Sequence, residues 1–102
     1  MNQRIDDERL EFLCRAILTL NTMEDCRSFL EDLCTPSELL EMSRRMQAAH
    51  MLNEGMIYTD IAAETGLSTA TISRVNRCIK YNEKGYVSVL RDLERIYKKT
   101  II

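Results

Sequence analysis

Thr69, Ala70, Ser73, Arg74, Arg77 and Lys80 fall on one outward face of an amphipathic stretch that begins at Ser68. The first of these side chains are small, so a helix carrying them can sink into the major groove of a duplex. There the methyls of Thr and Ala can touch thymine. Arg77 and Lys80 have the reach and charge to meet phosphates. From Leu67 through Asn82 there is no acidic residue, so nothing in that stretch repels a polyanion. Thr59 in the stretch before it, with Ser68 and Thr71 in the first turn, completes the candidate DNA-binding set of Thr59, Ser68, Thr69, Ala70, Thr71, Ser73, Arg74, Arg77 and Lys80. The plainer reading is a helical hairpin whose second helix is basic because it faces water. Gly66, Ala62, the Ser68 cap and the missing acids together favour DNA.

Presenting such a face requires two helices. Residues 58–77 read YTDIAAETGLSTATISRVNR, two short helical stretches broken at Gly66. Ala62 is small enough for the two backbones to approach each other. Gly66 permits a left-handed reversal without a Cβ clash. Leu67, Ile72 and Val75 are expected to seal the corner, and Ser68 to cap the second helix. This is the pattern of a helix-turn-helix spanning about 58–80, whose second helix offers its N-terminal residues to base edges. Thr65 departs from the pattern, because an apolar residue is usual before the turn; its methyl is expected to substitute.

The rest of the chain reads as support. Leu10, Leu13, Cys14 and Ile17 follow the i, i+3, i+4, i+7 spacing of an amphipathic helix, as do Cys26, Phe29, Leu30 and Leu33. Asn21 breaks the first pattern and Thr22 can cap the second helix. Thr35-Pro36-Ser37-Glu38 is the sharpest start signal, with an N-cap, a proline at the first helical position and a glutamate able to close a capping box. The helix it opens carries Leu39, Met42, Met46, Ala49 and Leu52 on one side, and Gly55 stops it. Its methionines read as fillers of irregular core gaps, and His50 reads as structural. A last helix from about Tyr86 to Lys99 carries Val89, Leu90, Leu93, Ile96 and Tyr97, with Lys98 and Lys99 at its C-terminus. No stretch alternates with period two for long. The expectation is therefore an all-α chain of about six helices in a single domain over 1–102, with helices at about 6–54 and 86–99 around the helix-turn-helix.

Composition limits the alternatives. The chain has 102 residues, 45% of them hydrophobic and 29% charged, with three Gly and one Pro. That is ordinary globular composition, and it disfavours a turn-rich sandwich or barrel. No apolar run approaches the roughly 18–20 residues that span a bilayer, and the opening MNQRIDDERLEF has no apolar signal core. Residues 1–43 carry four basic and ten acidic side chains, whereas residues 44–102 carry ten basic and six acidic. A nucleic acid would therefore meet the second half. Cys14, Cys26, Cys34 and Cys78 form no Cys-x-x-Cys pair, and His50 is the single histidine. No metal site is expected. Cys14 and Cys26 read as small buried hydrophobes, and a reducing, cytoplasmic setting is inferred. With one His, no Gly-rich phosphate loop and no nucleophile elbow, an enzyme is not expected, and no cofactor is implied.

The stretch from Thr35-Pro36-Ser37-Glu38 to Ala70-Thr71-Ile72-Ser73-Arg74 resembles the tryptophan repressor superfamily. DLCT, STATISRVNRC and KYNEKGY look like its YerC/YecD group. The resemblance covers most of residues 10–95 and is most specific between Leu33 and Lys80. It implies an intertwined homodimer whose helices interlock between subunits around two projecting reading heads. Two such heads would enter successive major grooves about 34–36 Å apart on a pseudo-palindromic operator. Double-stranded DNA and a second copy of the chain are thus the expected partners, and a repressor acting on transcription is the expected function.

In that family a small molecule lodges beside each head. The positions here that match those holding it are Thr35, Arg45 and Arg74, but the glycine on which the ligand's indole packs is replaced by Val75. An isopropyl group there should fill the slot, so tryptophan is not the expected effector. Two outcomes stay open: a smaller carboxylate held by Arg45 and Arg74, or a head already fixed by Val75 with no effector. The second is slightly favoured, because filling a cavity stabilises. Arg45 also reads, equally well, as a solvated helix-face arginine beside Arg44. The rival function is a protein-interaction adaptor on a helix-turn-helix scaffold. An acidic pI of 5.4 and acidic N-terminal helices support that rival.

Overall fold

The computed structural model describes residues 6–81 and 84–97, and it places six helices there with no strand among the described residues. They are α1 (Asp7–Ile17), α2 (Met23–Leu33), α3 (Pro36–Asn53), α4 (Tyr58–Thr65), α5 (Thr69–Lys80) and α6 (Lys84–Tyr97). Lys98 and Lys99, expected to end the last helix, lie outside the described residues. The all-α expectation and its helix count hold. The chain forms two compact units that divide between Leu39 and Leu40, within α3.

In the first unit the helix starts are fixed by side-chain caps. The Asp6 carboxylate accepts from the amides of Glu8 (3.0 Å) and Arg9 (3.4 Å). Thr22 Oγ1 accepts from the Asp25 amide at 3.0 Å, the cap its sequence position suggested. Before α3, the Thr35 amide donates to Glu38 Oε1 (2.9 Å) and the Glu38 amide donates to Thr35 Oγ1 (3.1 Å), a closed capping box. These bonds satisfy amides that a helix start otherwise leaves orphaned. The apolar stripes of α1 and α2 are nevertheless only partly covered. Neither helix has a fully buried residue; Leu13, Cys26, Phe29 and Leu30 are half-buried, and Leu10, Ile17 and Leu33 are exposed.

Cys14 is exposed and Cys26 half-buried, which corrects their reading as buried hydrophobes. They do lie on the apolar stripes, but among the described residues no stripe position of α1 or α2 is fully buried. Cys34 and Cys78 are half-buried, and all four thiols are free.

The second unit holds the core. One cluster joins Ala48 and Met51 of α3, Ile61 of α4, Leu67 of the turn and Ile72 of α5; Ala48, Ile61 and Ile72 are fully buried. A second joins Ala49 of α3, Val75 of α5 and Leu90 of α6, with Met46, Leu52, Ile79 and Tyr86 packed around it. Ala48 and Ala49 are adjacent yet enter different clusters, because successive residues on a helix point about 100° apart. The methionines split likewise: Met51 is core, Met46 is partly buried, and Met42 and Met56 are exposed. Gly55 ends α3 with φ +86°, and the Met56 amide returns to the Met51 carbonyl at 3.1 Å. The Nε2 of His50 is buried without a hydrogen-bond partner.

Candidate nucleic-acid interface

The reversal between α4 and α5 is built as its sequence implied. Gly66 sits at φ +77° in the left-handed region, and its amide bonds the Ala62 carbonyl at 2.9 Å. Ile61, Leu67 and Ile72 close the corner beneath it, whereas Val75, expected there too, packs instead with Ala49 and Leu90. Thr65 does more than substitute a methyl. It is 4% exposed, and its hydroxyl donates to the Ile61 carbonyl (2.8 Å) and accepts from the Leu67 amide (3.2 Å). A buried hydroxyl is tolerated there because both of its functions are met. The methyl-only expectation overlooked a polar group that closes the turn.

Ser68 caps α5, accepting from the Thr71 amide at 3.1 Å while its own hydroxyl donates to Thr71 Oγ1 at 3.0 Å. Beyond the cap the helix divides cleanly. Ile72 and Val75 are buried, whereas Thr69, Ala70, Arg74, Arg77 and Lys80 are exposed and Ser73 is half-exposed. Thr71 is half-buried with its hydroxyl occupied by the cap, so it builds the helix start more than it offers a free group. Thr59 is exposed in the first turn of α4. The exposed strip of α5 carries Arg74, Arg77 and Lys80 and no acid. The ion pairs among the described residues (Arg9–Asp6, Arg27–Glu31 and Arg95–Asp92) involve none of its residues. By contrast, α4 carries Asp60 and Glu64 and no base.

Two further residues shape the head without having been singled out for it from sequence. The half-buried Arg44 of α3 lays its guanidinium against the turn, and a Cβ added at Gly66 would stand 3.6 Å from Arg44 Cζ and 3.7 Å from Nη2. A cation there suits the carbonyl-rich end of α4. Tyr86 of α6 packs on the Ala49, Val75 and Leu90 cluster. Burial raises its phenol above the usual 10.0, with Cys78 adding to the rise while Arg45 and Arg74 pull it down. No local spacing announces either contact, since each joins helices far apart in sequence.

The positions matched to an effector pocket fall as follows. Thr35 is exposed and engaged in the α3 capping box. Arg45 is half-buried and Arg74 exposed. Val75 is 3% exposed and belongs to the second core cluster. Among the described residues there is no group of His, Cys, Asp and Glu able to hold a metal, and no helix long and apolar enough to cross a membrane.

The family model for the Trp repressor protein matches residues 8–94, a span that takes in nearly all of α1, all of α2 to α5 and most of α6. The chain belongs to the Trp repressor family. It is 42% identical over 87 residues to the uncharacterized protein YerC of Bacillus subtilis (strain 168), covering 85% of this chain and 84% of that relative. Among solved structures it resembles a TrpR-like protein from Eubacterium eligens ATCC 27750, with a TM-score of 0.79, 46% identity, and coverage of 84% of this chain and 89% of that one. It also resembles a proposed Trp repressor from Staphylococcus aureus, with a TM-score of 0.78, 41% identity, and coverage of 91% and 90%. A Trp repressor family fold is that of a transcription-regulator type of protein, not of an enzyme family.

Proposed function

We propose that this protein is a sequence-specific transcriptional regulator, a repressor, that binds a pseudo-palindromic operator as a homodimer through α5. The observation that carries the reading is the division of that helix. Ile72 and Val75 are locked into two core clusters, and the opposite face shows small side chains, then Arg74, Arg77 and Lys80, to solvent. Small residues near the N-terminus suit base edges, and cations further along suit phosphates. Thr59 of α4, with Ser68, Thr69, Ala70, Thr71 and Ser73 at the head of α5, completes the proposed contact set. Membership of the Trp repressor family supports DNA binding in general.

The homodimer has its own support. A helical unit of 39 residues whose two leading helices bury nothing lies below the size that holds a core alone. Interlocking with a second copy would cover the stripes of α1 and α2. For the effector, buried Val75 supports a head that does not take tryptophan, because a branched side chain occupies the position where an aromatic ring would have to lie flat.

The deciding experiment selects bound duplexes from random DNA with the purified protein, then titrates the best site in a gel-shift series at rising salt. Arg77→Ala should weaken binding, and the log–log salt slope should fall by about 0.9 for each head that loses a phosphate contact. No selected sequence and no shift at low salt would overturn the reading in favour of the adaptor. Micromolar tryptophan binding in isothermal titration would overturn the effector reading.

A further inference from the structure

Two apolar anchors set how α5 is held. Near its N-terminus Ile72 sits in the first cluster with Ile61, Leu67, Ala48 and Met51. One turn further on, Val75 sits in the second cluster with Ala49 and Leu90. The buried members of this second anchor are few, and one of them is only an alanine. Its volume therefore comes from the partly buried side chains around it: Met46, Leu52, Ile79 and Tyr86. Tyr86 is the largest and the only aromatic among them. Its ring also lines an apolar cleft of about 520 Å³ together with Met46, Cys78, Gly85 and Val89. Tyr86 thus joins packed core to open space. Met46 of the cleft and Val75 of the cluster directly follow Arg45 and Arg74 in the chain. Both arginines lower the phenol's pKa electrostatically, against the burial that raises it.

We infer that Tyr86 is a positioning residue for DNA binding: packed on the Ala49, Val75 and Leu90 cluster that joins α3, α5 and α6, its ring is a resident aromatic prop that fixes the angle of α5. The inference rests on the proposed DNA-binding role of α5 and deepens it. A head propped from within stands ready without a diffusible aromatic ligand. Control then passes to the protein's concentration and to its operator. The cleft matters here because removing the phenol would enlarge an existing opening, so a small aromatic molecule could enter and replace the lost ring.

The test uses the full chain and the duplex selected by the wild type, with affinity read by fluorescence anisotropy. Helix content and oligomeric state are checked by circular dichroism and sedimentation. Tyr86→Ala should stay folded and lose affinity by about tenfold or more, within the usual range of coupling between sites. Adding p-cresol should restore most of that affinity to Tyr86→Ala and change nothing in the wild type. Tyr86→Phe, which keeps the ring, should bind as the wild type does. The inference is overturned if folded Tyr86→Ala binds like the wild type, or if its loss is untouched by p-cresol. Should Tyr86→Ala not fold, Tyr86→Leu supplies bulk without an aromatic ring: weakened binding restored by Tyr86→Phe supports the prop, and wild-type affinity overturns it. If the wild type itself selects no duplex, the DNA-binding reading fails first, a result distinct from all of these.

Discussion

The left-handed turn at Gly66 can be tested against the two other glycines of the chain. Alanine in that backbone region is disfavoured by about 1–2 kcal/mol. Stiffening the unfolded chain returns about 0.4–1 kcal/mol. The new Cβ at Gly66 would lie 3.6 Å or more from the Arg44 guanidinium, which is ordinary van der Waals contact and adds no clash. Gly66→Ala should therefore cost about 1 kcal/mol, a fall in melting temperature of about 4–8 °C for a domain of this size. Gly55, at φ +86° with nothing within 4 Å of an added Cβ, isolates the backbone effect and should cost the same. Gly85 lies in α6, also with nothing within 4 Å, and Gly85→Ala should stabilise by up to about 1 kcal/mol. Urea unfolding of all three variants at one fixed protomer concentration measures this. A loss at Gly66 that exceeds the loss at Gly55 by several kcal/mol would show that the guanidinium cannot admit a methyl. No loss at either would refute the left-handed geometry itself.

Thr65→Val should cost about 1–3 kcal/mol by leaving the buried Leu67 amide without its acceptor; Thr65→Ser should recover most of it, and chemical unfolding of the pair decides. Ser68→Ala removes the α5 cap and should cost about 1 kcal/mol, with hydrogen exchange rising first at the amides of that helix's opening turn. Tyr86 gives a signed pH dependence. Its phenol titrates higher folded than at the unfolded 10.0, so below about pH 10 both states hold the proton and stability is flat. Above that the unfolded state ionises first, and stability falls until the folded phenol ionises too. Tyr86→Phe should reduce the fall, and equal slopes in both proteins above pH 10 would contradict the burial.

What was legible in the sequence was local. Thr22, Thr35 with Glu38, Gly55, Gly66 and Ser68 each act on groups within five residues, so their types and spacing announce the caps and turns that form. Asp6 follows the same rule and could have been read the same way. Contacts that cross the fold left no such trace. Arg44 reaches a glycine 22 positions away, and Tyr86 meets α3 and α5 through packing that no helical period encodes. Cys14 and Cys26 show the converse limit: periodicity told which side of a helix is apolar, but not what covers it.

The Thr65 hydroxyl, bonded on both sides of the chain reversal, has a consequence for kinetics. A corner tied to itself stays in shape whether or not a duplex is near, so docking spends little entropy on ordering the backbone. Encounter rates should then respond to ionic strength rather than to any slow rearrangement, and the association heat capacity should lack the large change that marks segments folding as they land.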